Sequence, residues 1–157
     1  MRAPSMVSDP AGSTIRPRSH QSTTIPPMDW VTAARELAAT FALRAPEHDR
    51  AGSFPFENFA DLRAAGFFGL TVPERFGGAE VPLATYLAVL EALARGDGST
   101  ALAFMMHLKT FGQERDAPSY PPEWLGQMAR GALEHGYLGN TVATEEGLGS
   151  PAGGGLP

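Results

Sequence analysis

Apolar residues recur at helical spacing from Asp29 onward, and this spacing predicts a series of amphipathic helices. The first helix is expected to begin after Asp29, whose carboxylate suits an N-cap. We expect it to end near Ala45, because Pro46 lacks an amide donor and its ring crowds the preceding turn. Its apolar stripe consists of Trp30, Val31, Ala34, Leu37, Ala38 and Phe41.

Two further helices are predicted in the middle of the chain. The second begins near Pro55 and ends at Gly66, with an apolar stripe of Phe56, Phe59, Leu62 and Ala65. The third has Pro82 in its first turn, where a missing amide costs nothing, and a predicted buried face of Leu83, Tyr86, Leu87, Leu90 and Leu93. Between them, "FFGLTVPERFGG" predicts a compact loop, since Gly77 and Gly78 permit a tight reversal.

The last two predicted helices lead into a different pattern. "TALAFMMHLKTFG", capped by Ser99 or Thr100, is apolar nearly all round and is expected to be the central helix of the core. A fifth helix from Pro122 to about Ala132 is expected to turn inward the side chains of Trp124, Leu125 and Met128. The residues after it favour a strand, namely Tyr137, Leu138, Thr141 and Val142. Helices followed by one strand predict a helical domain and the opening of a β domain.

The stripes together predict a helical bundle, with a core that includes Trp30, Phe59, Leu62, Leu87, Leu90, Phe104 and Met105. Residues 1–27 are instead rich in Ser, Thr and Pro and lack apolar periodicity, which predicts a disordered tail. An organelle transit peptide is also rich in Arg and Ser, but the prolines here oppose the amphipathic helix that it needs. We therefore expect a tail at 1–27, a helical domain at 28–134 and the start of a β domain at 135–157.

Composition excludes several classes of function. The chain has 157 residues, 43% of them hydrophobic and 18% charged, which suits one globular domain. It has no cysteine, so disulfides, thiolate metal sites and cysteine nucleophiles are excluded. Cysteine usage does not reveal the compartment, and we expect a cytoplasmic protein. The net charge of -5 argues against nucleic-acid binding, and no apolar run is long enough to span a membrane.

The stretch "TVATEEGLGS", residues 141–150, has the character of a ligand loop. Gly147 and Gly149 let backbone amides approach a ligand closely, and consecutive amides in such a turn form a concave anion site suited to a pyrophosphate. The hydroxyls of Thr144 and Ser150 can add hydrogen bonds to a polar ring edge or a phosphate. Taken alone, the glycine pattern favours a loop without a ligand.

Three stretches together resemble the acyl-CoA dehydrogenase family. They are "LTVPERFGG" after a short helix, "RGDGSTALAFMMH" leading into the fourth helix, and "TEEGLGS" after the predicted strand. The resemblance covers roughly residues 30–154. The family's "PE-x-x-GG" loop corresponds here to Pro73, Glu74, Gly77 and Gly78, and its flavin signature "TEPGAGSD" corresponds to residues 144–151.

The resemblance implies a mainly α fold, the N-terminal helical bundle of a flavoprotein, ending in the first strand and Gly-rich loop of a β-barrel domain. In the family, flavin adenine dinucleotide (FAD) lies between that barrel and a C-terminal four-helix bundle, which carries the catalytic glutamate. Most of the barrel and all of the bundle are missing from these 157 residues. We therefore expect a fragment that binds FAD weakly or not at all and is inactive alone. The full-length family also implies an acyl-CoA substrate and a homo-oligomer.

By resemblance, five residues are expected at the cofactor: Thr141, Ala143 and Thr144 beside the flavin ring, and Gly149 and Ser150 at the pyrophosphate, with Ser150 also at the bound thioester. Two positions depart from the family pattern. Glu146 replaces the usual proline and adds negative charge beside a phosphate site, and Pro151 replaces the usual aspartate and removes an amide donor. These departures keep open the related flavin monooxygenases, which share the helical domain.

The fourth helix lines the acyl-chain cavity in the family, so the resemblance implies substrate contacts at Phe104 and His107, with Met105 beside them. A lone histidine on an apolar helix is more often a satisfied core residue, and both interpretations stay open. His48, Asp49 and Ser53 hint at a hydrolase triad, but no nucleophile elbow is present.

Metal binding is not expected, because no ligand spacing of a known kind occurs among the histidines at 20, 48, 107 and 135. Adjacent Glu145 and Glu146 would point to opposite faces of a strand, so they would not share a proton.

Three functions remain open on the sequence. The first is a fragment of an FAD-dependent acyl-CoA dehydrogenase, and the second is a fragment of a related flavin monooxygenase. The third is a helical module that binds another protein. The glycine loop favours the first two, whereas a large exposed apolar surface without a flavin contact would favour the third.

Overall fold

A computed structural model describes residues 28–140, and the regular structure of that range is helical. Its α-helices, in chain order, are α1 Trp30–Ala51, α2 Phe56–Ala64, α3 Leu83–Ala94, α4 Gly98–Asp116 and α5 Pro122–Arg130. Two 3-10 turns, Phe67–Gly69 and Glu74–Phe76, lie between α2 and α3, and a π-helical turn, Gly131–His135, extends α5. The predicted mainly α fold is confirmed. The predicted tail at 1–27 and the segment 141–157 lie outside the described residues.

Helix α1 begins where the sequence predicts. The Asp29 carboxylate accepts hydrogen bonds from the amide and the hydroxyl of Thr32, at 3.1 and 2.6 Å. These bonds from Thr32 hold the pKa of Asp29 below its ordinary value. The buried side of α1 comes from the predicted stripe and consists of Trp30, Ala34, Ala38 and Phe41. The start and the inner face of α1 are therefore confirmed.

The predicted end of α1 before Pro46 is wrong, because the helix runs on past this residue. Gly52 ends the helix in a left-handed conformation, with φ of 60°, and donates its amide to the carbonyl of His48. Two residues before Pro46, Arg44 Nη1 lies 2.7 Å from Oδ2 of Asp61, which belongs to α2. A glycine C-cap and a contact with a neighbouring helix therefore offset the hydrogen bond that Pro46 cannot make.

Helix α2 buries less of its stripe than predicted. Phe59 and Leu62 are buried, but Phe56 is 74% exposed because it lies in the first turn, before α2 reaches the core. The polar Asn58 is buried instead. Gly66 follows the helix in a left-handed conformation, with φ of 80°, and so ends α2 as predicted.

The loop between α2 and α3 reverses tightly, as its glycines predict. The Val81 amide donates to the Leu70 carbonyl at 3.0 Å, so the end of the loop lies beside its start. Gly77 has a φ of 91°, which L side chains rarely adopt. Gly78 lies so close to Val72 that an added Cβ would be 2.0 Å from the Val72 carbonyl oxygen. The two glycines of the "PE-x-x-GG" motif are therefore required by the backbone of this loop.

The predicted inner face of α3 is confirmed only in part: Leu93 is buried and Tyr86 and Leu90 are half-buried against the core. Val89, Ala92 and Leu93 are buried, whereas Leu83 is 57% exposed and Leu87 is 53% exposed. The helix contacts α1 and α4, and its buried residues all lie in its C-terminal half. The exposed leucines lie in the N-terminal half of α3, and helical spacing alone does not indicate which half of a helix is buried.

Helix α4 is the central helix, as predicted, but its cap is a different residue. Asp97 accepts a hydrogen bond from the Ser99 amide at 3.0 Å and caps a helix that begins at Gly98, so the predicted cap at Ser99 or Thr100 is wrong. Aspartate at this position satisfies the first amides before Ser99 can do so. The buried side chains of α4 are Thr100, Ala101, Phe104, His107, Leu108, Thr110, Phe111 and Glu114.

Helix α5 turns Leu125 and Ala129 inward, whereas Trp124, which was predicted to face inward, is 62% exposed. Gly126 is also buried, and α5 lies close to the loop there: a Cβ on Gly126 would be 3.1 Å from the Phe76 ring. The α-helix ends at Arg130, before the predicted end near Ala132, and the π-helical turn follows it. Residues 137–140 belong to no strand within the described range, since no neighbouring segment there pairs with them.

Two groups of buried side chains form the interior of residues 28–140. The main cluster joins α1, α2, the first 3-10 turn, α3 and α4 through Trp30, Ala34, Phe41, Phe59, Leu62, Phe67, Phe68, Leu70, Val89, Ala92, Leu93, Ala101, Phe104 and Leu108. The second cluster joins the loop, α4 and α5 through Val72, Phe111, Leu125, Ala129 and Ala132. Of the predicted core side chains, Trp30, Phe59, Leu62 and Phe104 are buried, Leu90 and Met105 are half-buried, and Leu87 is exposed.

Candidate functional site

The residues that the sequence assigns to the flavin all follow Asn140. They lie outside the described residues, and their roles stay predictions: Thr141, Ala143, Thr144, Gly149 and Ser150. The structure describes the helical body up to the point where this segment begins. The predicted substrate residues Phe104 and His107 lie within that body, on α4.

The His107 ring is enclosed by aromatic side chains. Its centroid lies 5.4 Å from that of Phe68, 5.7 Å from that of Phe104 and 5.3 Å from that of Phe111. His107 Nε2 is 2.9 Å from the Phe68 carbonyl oxygen, and the Gly139 amide lies 3.0 Å from His107 Nδ1. One side chain of α4 thus joins the first 3-10 turn to the last described segment of the chain.

These two hydrogen bonds define the protonation state of His107. A carbonyl oxygen can only accept, so Nε2 carries the proton directed at Phe68, and Nδ1 is unprotonated because it accepts from the Gly139 amide. Burial lowers the pKa of His107 below the ordinary value of 6.5, and the bond to the Phe68 carbonyl offsets this only in part. The imidazole is therefore neutral at pH 7, and both of its nitrogens are satisfied.

Neither Phe104 nor His107 offers an open surface to a substrate, since both are 0% exposed. The interpretation of His107 as a satisfied core residue describes this geometry. Its substrate contact stays a prediction, as does that of Phe104. The exposed or half-buried positions of α4 in the same region are Leu102, Ala103, Met105, Met106 and Lys109.

A buried polar network joins α1 and α2 to the corner between α3 and α4. Asn58, which is 0% exposed, donates through Nδ2 to Asp97 Oδ2 at 3.3 Å and to Thr100 Oγ1 at 3.0 Å. Its Oδ1 accepts from Arg44 Nη1 at 3.0 Å, and Thr100 donates to Asp97 at 2.5 Å. No buried side-chain nitrogen or oxygen in residues 28–140 lacks a partner. The network therefore holds helices together and leaves no buried group free for a ligand.

The same corner explains the glycine of "RGDGS" that precedes Asp97. A Cβ on Gly96 would lie 2.1 Å from the carbonyl oxygen of Ala38, because α1 crosses the corner at this point. Gly98 is different, since a Cβ there would meet nothing within 4 Å. The first glycine permits a close backbone approach and Asp97 caps α4, so this part of the family motif supports the fold.

Ser53, His48 and Glu57 lie in contact at the end of α1, which bears on the hydrolase interpretation. Ser53 Oγ is 2.8 Å from His48 Nδ1, and His48 Nε2 is 3.5 Å from Glu57 Oε2. The Ser53 amide also donates to the His48 carbonyl at 3.1 Å, so the same residues close the C-terminal end of the helix. The contact involves Glu57 where the sequence suggested Asp49, and it lies at a helix end, without a strand-to-helix elbow. We interpret it as a helix cap.

Within residues 28–140, no group of three or more histidine or carboxylate side chains is placed to hold a metal ion. No helix of that range is both long enough and apolar enough to cross a membrane.

The fold and the site define an α-helical domain with an apolar central helix, to which a buried histidine ties the last described segment. The family profile described as "Acyl-CoA dehydrogenase, N-terminal domain" matches residues 29–131, which contain α1 to α5. The chain belongs to the acyl-CoA dehydrogenase family, as the sequence motifs implied, and this is a family of flavoproteins.

Individual relatives include dehydrogenases and monooxygenases. YdbM, assigned as an acyl-CoA dehydrogenase of Bacillus subtilis (strain 168), is 35% identical over 128 residues, which are 82% of this chain and 33% of YdbM. Dibenzothiophene monooxygenase of Mycolicibacterium goodii is 38% identical over 82 residues, or 52% of this chain and 20% of that protein. SfnC, assigned as an FMNH2-dependent monooxygenase of Pseudomonas putida, is 32% identical over 117 residues, or 74% of this chain and 29% of SfnC. The chain thus spans no more than about a third of the length of these relatives.

Sequence reasoning missed Phe68 and Gly139 as partners of His107. They lie 39 and 32 residues away along the chain, and hydrophobic periodicity reports only near neighbours. Asp97 did have a local signal, because an aspartate directly before an apolar helical run is as good an N-cap as serine.

Proposed function

We propose that this chain forms the N-terminal helical part of an FAD-dependent oxidoreductase that introduces a double bond between the α and β carbons of an acyl-CoA thioester. The observation that carries the proposal is the family match over residues 29–131, and the similarity to YdbM over 82% of the chain supports it. FAD, when bound, would supply the acceptor for the β-hydride, and a base would be needed to remove the α-proton. A cytoplasmic location and a homo-oligomeric full-length protein are proposals that rest on the resemblance.

The proposed cofactor contacts fall into two groups by their chemistry. Three residues offer a backbone and hydroxyls to the polar edge of the flavin ring, namely Thr141, Ala143 and Thr144. Gly149 and Ser150 offer amides and a hydroxyl to the pyrophosphate. These donor types suit both parts of FAD, while the carboxylate of Glu146 opposes a phosphate nearby. We therefore expect this loop to contribute one wall of the site, with FAD affinity depending on further protein surface.

The proposed substrate contacts are Ser150, Phe104 and His107. Burial of the last two means that they support α4 from its inner side, while the open side of the helix carries other apolar side chains. Leu102 is exposed, and Met105 and Met106 are half-buried. An acyl chain that approaches α4 from its open side therefore meets these flexible apolar residues first.

A flavin monooxygenase is the second candidate, because the chain is similar to dibenzothiophene monooxygenase and to SfnC. The two candidates share the helical domain and differ in the oxidant. A dehydrogenase passes its electrons to an acceptor, whereas a monooxygenase uses reduced flavin and oxygen. The departures at Glu146 and Pro151 from the dehydrogenase loop leave room for the second candidate.

We propose that the 157-residue polypeptide alone has no dehydrogenase turnover. A catalytic carboxylate needs a dry pocket that raises its pKa and a position within hydrogen-bond reach of the α-proton. Glu145 and Glu146 both belong to the predicted cofactor loop. The resemblance instead assigns the catalytic base to a C-terminal bundle. The expected result is no dye reduction with FAD and acyl-CoA of several chain lengths.

Complementation tests both proposals. The polypeptide is mixed with the C-terminal remainder of YdbM, and FAD retention and acyl-CoA-dependent dye reduction are measured. We expect activity only in the mixture, with FAD retention lost in Gly149→Val and kept in the control Gly154→Val.

Turnover by the polypeptide alone that disappears in Glu145→Gln or Glu146→Gln would overturn the assignment of the base. Formation of an oxygenated dibenzothiophene product with reduced FMN and oxygen, without acyl-CoA oxidation, would favour the monooxygenase.

A further inference from the structure

His107 is a buried titratable residue to which the proposed reaction assigns no proton transfer. Its hydrogen bonds nevertheless connect three separate parts of the domain, namely the turn at Phe68, helix α4 and the segment at Gly139. Any buried imidazole needs hydrogen-bond partners, so what matters here is which parts of the chain supply them. The bond to Gly139 is the notable one, because Gly139 lies two residues before Thr141, where the predicted flavin segment starts.

We propose that neutral His107 is a positioning residue for the cofactor segment: it holds Gly139 against α4, and its protonation in acid releases that segment. The first half of this proposal concerns the described residues alone. The second half, that the segment serves a flavin, rests on the proposed function.

The distance along the chain makes the position of Gly139 matter. Two residues span at most about 7 Å, so a change in the position of the Gly139 backbone is carried directly to the start of the predicted cofactor segment. A cofactor site that must hold its groups to within a fraction of an ångström needs such support behind it. His107 is suited to supply it because its own ring is held by Phe68, Phe104 and Phe111.

Protonation must break the contact with Gly139 for a chemical reason. Imidazolium carries a proton on both nitrogens, so Nδ1 loses its acceptor lone pair and faces the Gly139 N–H as a second donor. The bond from Nε2 to the Phe68 carbonyl survives protonation. Acid therefore removes one specific link and keeps the other.

The surroundings of the ring contain no charge that would stabilise imidazolium. The groups in contact are uncharged on every element: Phe68 on the first 3-10 turn, Phe104 and Phe111 on α4, and the Gly139 backbone. Of the ionisable side chains near these along the chain, Lys109, Glu134, His135 and Tyr137 are exposed and Glu114 is buried. None of them is a cause of the lowered pKa of His107, which comes from burial and is opposed by the bond to the Phe68 carbonyl. Because protonation in the folded protein follows the lowered pKa, the link should still be intact near pH 6.5 and be lost only as the pH falls through the folded-state pKa below that value.

Nuclear magnetic resonance of the intact 157-residue chain tests the first half without any mutation. The ring nitrogens should report an Nε2–H tautomer at pH 7, and the Gly139 amide shift should titrate together with the His107 ring. Hydrogen exchange of the Gly139 amide, corrected for its intrinsic pH dependence, should accelerate about fivefold as His107 becomes protonated, as expected for one lost hydrogen bond. A Gly139 amide that does not respond to the titration of His107 overturns the proposal.

Two variants separate positioning from general core support. His107→Asn can keep an acceptor near Nδ1 but loses the donor to Phe68, whereas His107→Gln can keep the donor near Nε2 but loses the acceptor for Gly139. Gly139 protection should be largely retained in His107→Asn and fall about fivefold in His107→Gln. His48→Asn, at the far end of α1, is the control and should leave Gly139 unchanged. Equal loss of protection in both folded variants overturns a positioning role, and the titration of the unmutated chain remains decisive if either variant does not fold.

FAD retention in the mixture with the C-terminal remainder of YdbM tests the second half. We expect His107→Gln to weaken retention more than His107→Asn, in the same order as Gly139 protection. If the Gly139 responses are as stated but no mixture retains FAD, the link to Gly139 stands and the proposed function fails. If unmutated chain and both variants retain FAD equally, the proposed function survives and the positioning of the cofactor segment is overturned.

Discussion

Helix α4 contributes to both clusters of the interior, and the two clusters are built differently around it. The main cluster is rich in aromatic rings, with Trp30 edge-on to Phe67 at 5.2 Å and Phe68 tilted against Phe104 at 5.5 Å, and the Asn58 network lies beside it. The second cluster relies on Phe111 with Leu125 and alanines. Large rings bury most apolar area, so we assign most of the stability to the main cluster.

The second cluster has a different consequence for the molecule. It fastens α5 and the π-helical turn, after which the chain runs to Gly139 and towards the predicted flavin loop. A region with fewer buried contacts opens more readily than the core of the domain. We infer that the main cluster maintains the fold, while the second cluster determines the position of the chain after α5.

Removing the central ring of the main cluster should have the largest effect. Phe104→Ala should lower the free energy of unfolding by about 3–5 kcal/mol, because a fully buried ring is replaced by a cavity. Leu102→Ala on the same helix is the control and should change it by no more than about 0.5 kcal/mol, since Leu102 is 63% exposed. Urea denaturation followed by circular dichroism measures both. A loss below about 1 kcal/mol for Phe104→Ala would contradict the primacy of the main cluster.

Adding a side chain where α1 approaches the corner between α3 and α4 should have the next largest effect on stability. Gly96→Ala forces a Cβ against the Ala38 carbonyl and should cost about 3 kcal/mol. Gly98→Ala adds the same methyl group in open space and should cost nothing or stabilise slightly. Thermal unfolding of the pair separates backbone crowding from the loss of a glycine. Similar midpoints for the two variants would show that the corner can relax.

Truncating a side chain of the second cluster should have a smaller and more local effect on stability. Leu125→Ala should lower the free energy of unfolding by about 2–3 kcal/mol, and Trp124→Ala, which changes an exposed neighbour, by no more than about 0.5 kcal/mol. Hydrogen exchange in Leu125→Ala should accelerate more in α5 and at Gly139 than in α1. Equal acceleration everywhere would mean that the two clusters open as one unit.

Replacing the carboxylate of Glu114, on α4, should have the smallest effect on stability, and this effect should depend on pH. Burial raises the pKa of Glu114, but hydrogen bonds from the Ser119 hydroxyl and from the Ser119 and Tyr120 amides outweigh it, so the pKa lies below the ordinary 4.5. The unfolded chain then binds more protons in acid, and the stabilisation is present above about pH 4.5 and lost as the pH falls towards the folded-state pKa.

Glu114→Gln should therefore cost about 1–2 kcal/mol at pH 7 and progressively less below pH 4.5. Glu36→Gln, at an exposed position of α1, provides the matched control and should show no such trend. Urea denaturation at several pH values measures the difference. A cost for Glu114→Gln that stays constant down to strongly acidic pH would exclude the hydrogen-bonded carboxylate as its source.

The sequence predicted what depends on local chemistry. Asp29 identified the start of α1, and the apolar positions of α4 identified the central helix. The paired glycines at 77 and 78 identified the tight loop. Each of these features is decided by residues within a few positions of one another, where capping, periodicity and backbone freedom act.

The errors arose where distant residues decide. Pro46 stays inside α1 because α2 and the cap at Gly52 hold the helix around it, and Leu87 is exposed because the buried residues of α3 all lie in its C-terminal half. The same limit applies to the site: His107 was found on its helix, but its partners Phe68 and Gly139 come from elsewhere in the chain. The flavin residues after Asn140 were identified by their resemblance alone, and their roles stay predictions.

The π-helical turn at Gly131–His135 makes the contact between His107 and Gly139 sensitive to the number of residues that connect them. A π turn closes its hydrogen bonds one residue later than an α turn, so it behaves as a single-residue insertion in α5. One residue corresponds to about 100° of rotation around a helix. Deleting one residue there would rotate residues 136–140 by about that angle relative to α5 and aim Gly139 away from His107. The contact between Gly139 and His107 thus depends on the extra residue that the π turn accommodates.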